Sequence, residues 1–130
     1  MESPEKSLIY FHHPGLDLAQ AQDPLGAGGL TVVRDGDALR VRRGGDGPEL
    51  RVRHVHGERI RLDAIQKSRG TALQSLMSTL DAAFEISFDD LDKVLADGDT
   101  LIEVQRILQQ LTEGVIVRSW NDELSGPGEE

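Results

Sequence analysis

Ala38-Leu39-Arg40-Val41-Arg42 and Leu50-Arg51-Val52-Arg53-His54 decide how this chain is read. Apolar and arginine side chains alternate in both stretches, and successive side chains of a strand point to opposite faces. Leu39, Val41, Leu50 and Val52 therefore share one side of a sheet, and Arg40, Arg42, Arg51 and Arg53 share the other. Leu30-Thr31-Val32-Val33 precedes them through Asp35-Gly36-Asp37, a short Gly/Asp connection of the hairpin type. Gly44-Gly45-Asp46-Gly47-Pro48 supplies the next turn. Beyond a break at Gly57, Arg59-Ile60-Arg61-Leu62 continues the alternation. The expectation is an antiparallel meander with an apolar side and an arginine side.

Working outward, Ser7-Leu8-Ile9-Tyr10-Phe11 reads as a strand that ends at His12-His13-Pro14-Gly15. Residues 16–29 read as an irregular connection with a short helical turn around 18–22. After Leu62 the period changes. Leu73, Leu76, Met77, Leu80 and Phe84 recur at helical spacing, with Thr71 and Gln74 as a capping box and Asp63–Arg69 as an earlier helical piece. A second helix is expected from Ser87 to the Asp97-Gly98-Asp99 break. A third is expected from Thr100, with Glu103 in its box, through Leu111 to a left-handed cap at Gly114. Val115-Ile116-Val117-Arg118-Ser119-Trp120 is β-like again.

This order predicts an α+β fold: an antiparallel β-meander, then about three helices packed on one face, then a C-terminal β-strand. The returning strand has two candidate neighbours, the 8–11 strand and an edge of the meander. Residues 7–122 are read as one α+β domain, residues 1–6 as a flexible N-terminus and residues 123–130 as a flexible acidic tail.

Charge is sorted along the chain. Residues 34–61 carry eight arginines against five acids, whereas everything after residue 61 carries 14 acids against five bases, within an overall net charge of −9. The hydrophobic fraction of 38% with 28% charged residues is that of a folded, soluble chain. No apolar run approaches the roughly 20 residues of a membrane span, and residues 1–6 lack the features of a secretory leader, so a cytoplasmic protein is expected. The absence of cysteine removes disulfide and thiolate chemistry. Net negative charge makes nucleic acid an unlikely partner, and no aromatic residue interleaves with the arginines to stack bases. The arginine side is read as a solvated sheet face, or as one covered by acids of this chain or of a partner.

Catalytic signatures are missing. Gly26-Ala27-Gly28-Gly29 precedes a strand instead of a helix, the wrong order for a phosphate loop. Asp97-Gly98-Asp99 with Glu103 does not meet the spacing of a calcium loop. His54 and His56 point the same way on a strand, and His12 or His13 offers a third nitrogen. Two histidine pairs without a decisive third and fourth ligand assign no metal, and no catalytic residue or cofactor is assigned either.

The functional expectation is a non-enzymatic protein-binding protein that meets a basic partner through an acidic helical surface. Its candidate residues are Asp89, Asp90, Asp92, Asp97, Asp99 and Glu103. Inhibitors and immunity-type proteins that neutralise a basic toxin or effector have this character, since complementary charge speeds capture. The alternatives are a homo-oligomeric regulatory subunit, such as a homodimer joined through helices or the strand ending at Trp120, and a small enzyme or ligand-binding domain with a His/Arg-lined pocket.

Overall fold

The computed structural model describes residues 6–12, 18–42, 49–88, 91–97, 100–118 and 123–125. In chain order the elements are β1 (Lys6–Phe11), α1 (Leu18–Ala27), β2 (Thr31–Asp35), β3 (Ala38–Arg42), β4 (Leu50–His56) and α2 (Glu58–Ser68). There follow α3 (Gln74–Met77), β5 (Ala82–Ser87), α4 (Leu91–Asp97), α5 (Thr100–Thr112), β6 (Val115–Arg118) and β7 (Glu123–Ser125). The strands form one antiparallel sheet in the order β2-β3-β4-β5-β1-β6-β7.

The α+β class is as the sequence predicts, and β2, β3 and β4 form the expected hairpin succession. The sheet as a whole is not a simple meander. β5 and β1 stand between β4 and β6, so the first strand lies near the middle of the sheet. Of the two neighbours open to the returning strand, β6 takes β1, with Ser7 opposite Arg118 and Tyr10 opposite Val115. β7, at the start of the segment read as a tail, pairs with β6.

The expectation of helices on one face is also corrected. On the first face, α1, α4 and α5 bring Leu18, Leu25, Val94, Leu101, Val104 and Leu108 onto Ile9, Phe11, Leu39, Val41, Leu50, Val52, Phe84 and Ile86. On the second face, Ala64 of α2, Met77 of α3 and Leu80 cover Leu8, Tyr10, Ala83, Val115 and Val117. The reason lies in β1, where Leu8, Ile9, Tyr10 and Phe11 are all buried. A strand that is apolar on both sides needs cover on both sides. Each large apolar side chain so buried contributes roughly 1.5–3 kcal/mol relative to exposure.

Three local readings change with it. Residues 59–62 belong to α2 instead of a strand, and Leu62, expected in the core, is 56% exposed. Gly57, with φ of 122°, lets the chain leave β4 and turn into that helix. Ile60, Ala64 and Ser68 then face inward at helical spacing, and the Ser68 hydroxyl donates to the Ala64 carbonyl at 2.8 Å. The long helix expected up to Phe84 is only α3, because Ala82–Ser87 is β5. Ser87 consequently ends a strand, and the next helix starts at Leu91. Residues 18–27 form the whole of α1, not a single turn, with Leu18, Ala21 and Leu25 buried.

The expected third helix is α5, from Thr100 to Thr112. Its left-handed closing residue is Glu113, with φ of 53°, and not Gly114. Gly114 serves close approach instead: a Cβ there would collide with the Tyr10 carbonyl oxygen of the neighbouring strand.

Candidate functional site

Of the acidic residues singled out from sequence, Asp92 and Asp97 belong to α4 and Glu103 to α5. Asp92 is exposed in the first turn of α4, and Asp97 is that helix's last residue. Glu103 is half-buried in the first turn of α5 and accepts a hydrogen bond from Arg106 at 2.6 Å. Acids in a first turn oppose the positive end of the helix dipole, so both positions are locally favourable without a ligand. Asp89, Asp90 and Asp99 lie outside the described residues, as do His13 and Trp120. α4 and α5 pack against each other, and Val94, Leu101, Val104 and Leu108 fix the pair to the sheet. Ile102, on the outer side of α5, is 61% exposed.

The arginine side of β3 and β4 faces away from α1, α4 and α5, on the same face as α2 and α3. It is organised around Glu49. Arg40 donates to both carboxylate oxygens of Glu49, at 3.1 and 2.9 Å, and Arg42 donates to one of them at 2.8 Å. Arg51 Nε lies 4.0 Å from the same carboxylate. The hydrogen bonds from Arg40, then those from Arg42, hold the Glu49 carboxyl below its ordinary range, and Glu49 in turn raises Arg40. Arg53 pairs with Asp37 at 3.4 Å. Acids of this chain thus meet these arginines, one of the two alternatives the sequence left open.

Of the described histidines, His54 and His56 are neighbours and His12 does not join them. His54 is half-buried against Phe11 and Phe84, with ring centroids 5.9 and 5.7 Å away, and its ring lies 5.3 Å from that of His56. His12 instead turns to Asp81, at 3.1 Å. Among the described residues no three His, Cys, Asp or Glu side chains are placed to share a metal ion. No helix among them is long and apolar enough to cross a membrane.

Sequence reasoning missed two buried polar contacts. Tyr10 of β1 donates its hydroxyl hydrogen to Asp63 of α2 at 2.5 Å. Burial first, then this bond and the charges of Asp63 and Glu85, push the Tyr10 hydroxyl far above the ordinary tyrosine range. On the other face the Gln105 side chain of α5 donates to the Ser7 hydroxyl at 2.7 Å, and Arg118 donates to the Gln105 side-chain Oε1 at 3.4 Å. Asp63 falls between Ile60 and Ala64, so an acid inside an apolar helical stripe was its only sequence signal. Both contacts tie a helix to β1. Neither forms a nucleophile–base pair of the kind covalent catalysis needs.

Comparison with known proteins adds no relative: no family model, no curated protein and no solved structure matches the chain.

Proposed function

We propose that this chain is a non-enzymatic, cytoplasmic protein-binding protein whose acidic α4–α5 side meets a basic partner, in the manner of an inhibitor or immunity-type protein that neutralises a basic toxin or effector. The supporting observation is local charge. Residues 89–103, which supply α4 and the start of α5, carry six acids against one base. Asp92 stands exposed on that side, and Ile102 offers an apolar contact beside the acids. Exposed apolar and acidic side chains on one helix pair suit protein recognition, and the acids would steer a basic partner into place. Asp89, Asp90, Asp97, Asp99 and Glu103 complete the proposed surface.

Capture of partners from native cell extract, at low and at high salt, tests this reading. A basic protein should be retained at low salt, be released by salt, and be lost with Asp89→Lys/Asp92→Lys. Binding that ignores both ionic strength and that charge reversal would remove the acidic side from the function.

A further inference from the structure

We propose that His54 and His56 form a two-nitrogen site for a divalent transition cation, Zn2+ being the ion whose geometry they fit, with water completing its shell. The site is independent of the acidic side.

Leu50, Val52, His54 and His56 occupy alternate positions of β4 and so share one side of it. Leu50 and Val52 lie in the core of the first face, and the strand then changes from aliphatic side chains to two imidazoles. His54 stands opposite Phe84 and His56 opposite Ala82 on β5. Phe11 and Phe84 flank the His54 ring, with centroids 5.9 and 5.7 Å away, and limit where it can go. His56 is exposed with His54 half-buried beside it, so an ion can enter from solvent.

The two rings converge. Alternate residues of a strand are about 6.6 Å apart along the backbone. The His54 and His56 ring centroids are 5.3 Å apart, so the rings lean toward each other. A zinc ion bound at about 2.1 Å to one imidazole nitrogen sits about 3.2 Å from that ring's centroid. Two centroids 5.3 Å apart then subtend an angle of about 110° at such an ion, which is the tetrahedral value. Each imidazole has two nitrogens, so one can bind the ion while the other keeps a different partner, as ligating histidines do.

Imidazole suits zinc, copper and nickel, whereas calcium and magnesium take oxygen ligands. Structural zinc sites have four protein ligands and catalytic ones three, so two ligands define an exchangeable site that does not hold the fold together. A net charge of −9 draws cations toward the chain. His12 stays outside the site, with its Nδ1 3.1 Å from Asp81.

Calorimetric titration of ZnCl2 into the untagged full chain, with Mg2+ in excess, tests the site. Wild type should bind Zn2+ in the micromolar range. His56→Gln changes an exposed residue and leaves the packing of His54 on Phe11 and Phe84 in place. It should weaken binding by about tenfold or more, whereas His12→Gln should leave the affinity within about twofold. His54→Gln should match His56→Gln, and if it fails to fold, His56→Gln decides alone. In spectra of the imidazole nitrogens, Zn2+ should shift His54 and His56 and leave His12 unmoved. The proposal is overturned if wild type binds no Zn2+ below about 100 µM, or if His56→Gln binds as wild type does. Displacement of Zn2+ by the excess Mg2+ would overturn it too, since binding would then belong to the negative charge of the chain at large.

Discussion

Tyr10, buried in the strand beside the middle one of the sheet, hydrogen-bonds through its hydroxyl to Asp63 on α2 at 2.5 Å. The contact pins the helix that begins at Gly57 to the second face, where Ala64 and Met77 pack beside it. It joins a fully buried phenol to a half-buried carboxylate, so each group satisfies the other where water has little access.

Tyr10→Phe keeps the ring and removes the donor. Asp63 is then left partly desolvated without its partner, and a cost of about 1–3 kcal/mol is expected. Urea unfolding measures it as a lower midpoint at unchanged slope. A midpoint equal to that of the wild type would mean that the bond adds nothing to stability.

The same hydroxyl makes stability depend on alkaline pH. Its folded-state pKa is raised, so the folded chain keeps a proton that the unfolded chain releases near pH ~10. The contribution is full below that point and is lost as pH rises toward the higher folded value. Wild type should therefore lose more stability than Tyr10→Phe between pH ~10 and ~11, by up to about 1.4 kcal/mol. The chain has one tyrosine, so native phenolate absorbance should also stay absent until the protein unfolds.

The Glu49 cluster gives the opposite sign at low pH. Its folded-state pKa is lowered by Arg40 and Arg42, so its contribution is present above the ordinary glutamate range. It disappears as pH falls through the lower folded value. Thermal unfolding across that interval should show a steeper acid loss for wild type than for Glu49→Gln. Added salt should shrink the difference, because the pairs are partly exposed.

Gly114→Ala and Gly36→Ala separate two uses of glycine. Gly36 has φ of 61° and open space around it, so alanine there meets backbone strain alone, about 1 kcal/mol. At Gly114 the added Cβ meets the Tyr10 carbonyl, and β6 must shift away from β1. A cost of about 3 kcal/mol or more is expected there. Calorimetry or urea unfolding would rank the two, and the reverse order would refute the close-approach argument.

Elements with one buried face were legible in the sequence. β3 and β4 alternate because Leu39, Val41, Leu50 and Val52 face the first core while Arg40, Arg51 and Arg53 are exposed on the other side. α5 shows its Leu101, Val104 and Leu108 stripe for the same reason. β5 was missed because Phe84 also fits the helical spacing of Leu73, Leu76, Met77 and Leu80, while Ala82, Ala83 and Phe84 are buried one after another without alternation. α2 was misread because its first turn, Arg59-Ile60-Arg61-Leu62, matches strand alternation for four residues. At the candidate sites, the arginine row and the nearby Glu49 were visible, since both follow from local order. The Tyr10–Asp63 contact was not, because it depends on which helix crosses which strand.

The central position of β1 has a consequence for synthesis. Ser7 pairs with Ile86 on one side and with Arg118 on the other, so the first of the described strands to be translated waits longest for its neighbours. While the ribosome is still making β2, β3 and β4, the Leu8–Phe11 segment has neither neighbouring strand, and α2, α3, α4 and α5 are not yet there to cover it. The nascent chain must hold that sticky segment in reserve until β6 emerges. Production of this protein should therefore respond to the pace of translation between residues 86 and 118, and to holdase chaperones acting in that interval.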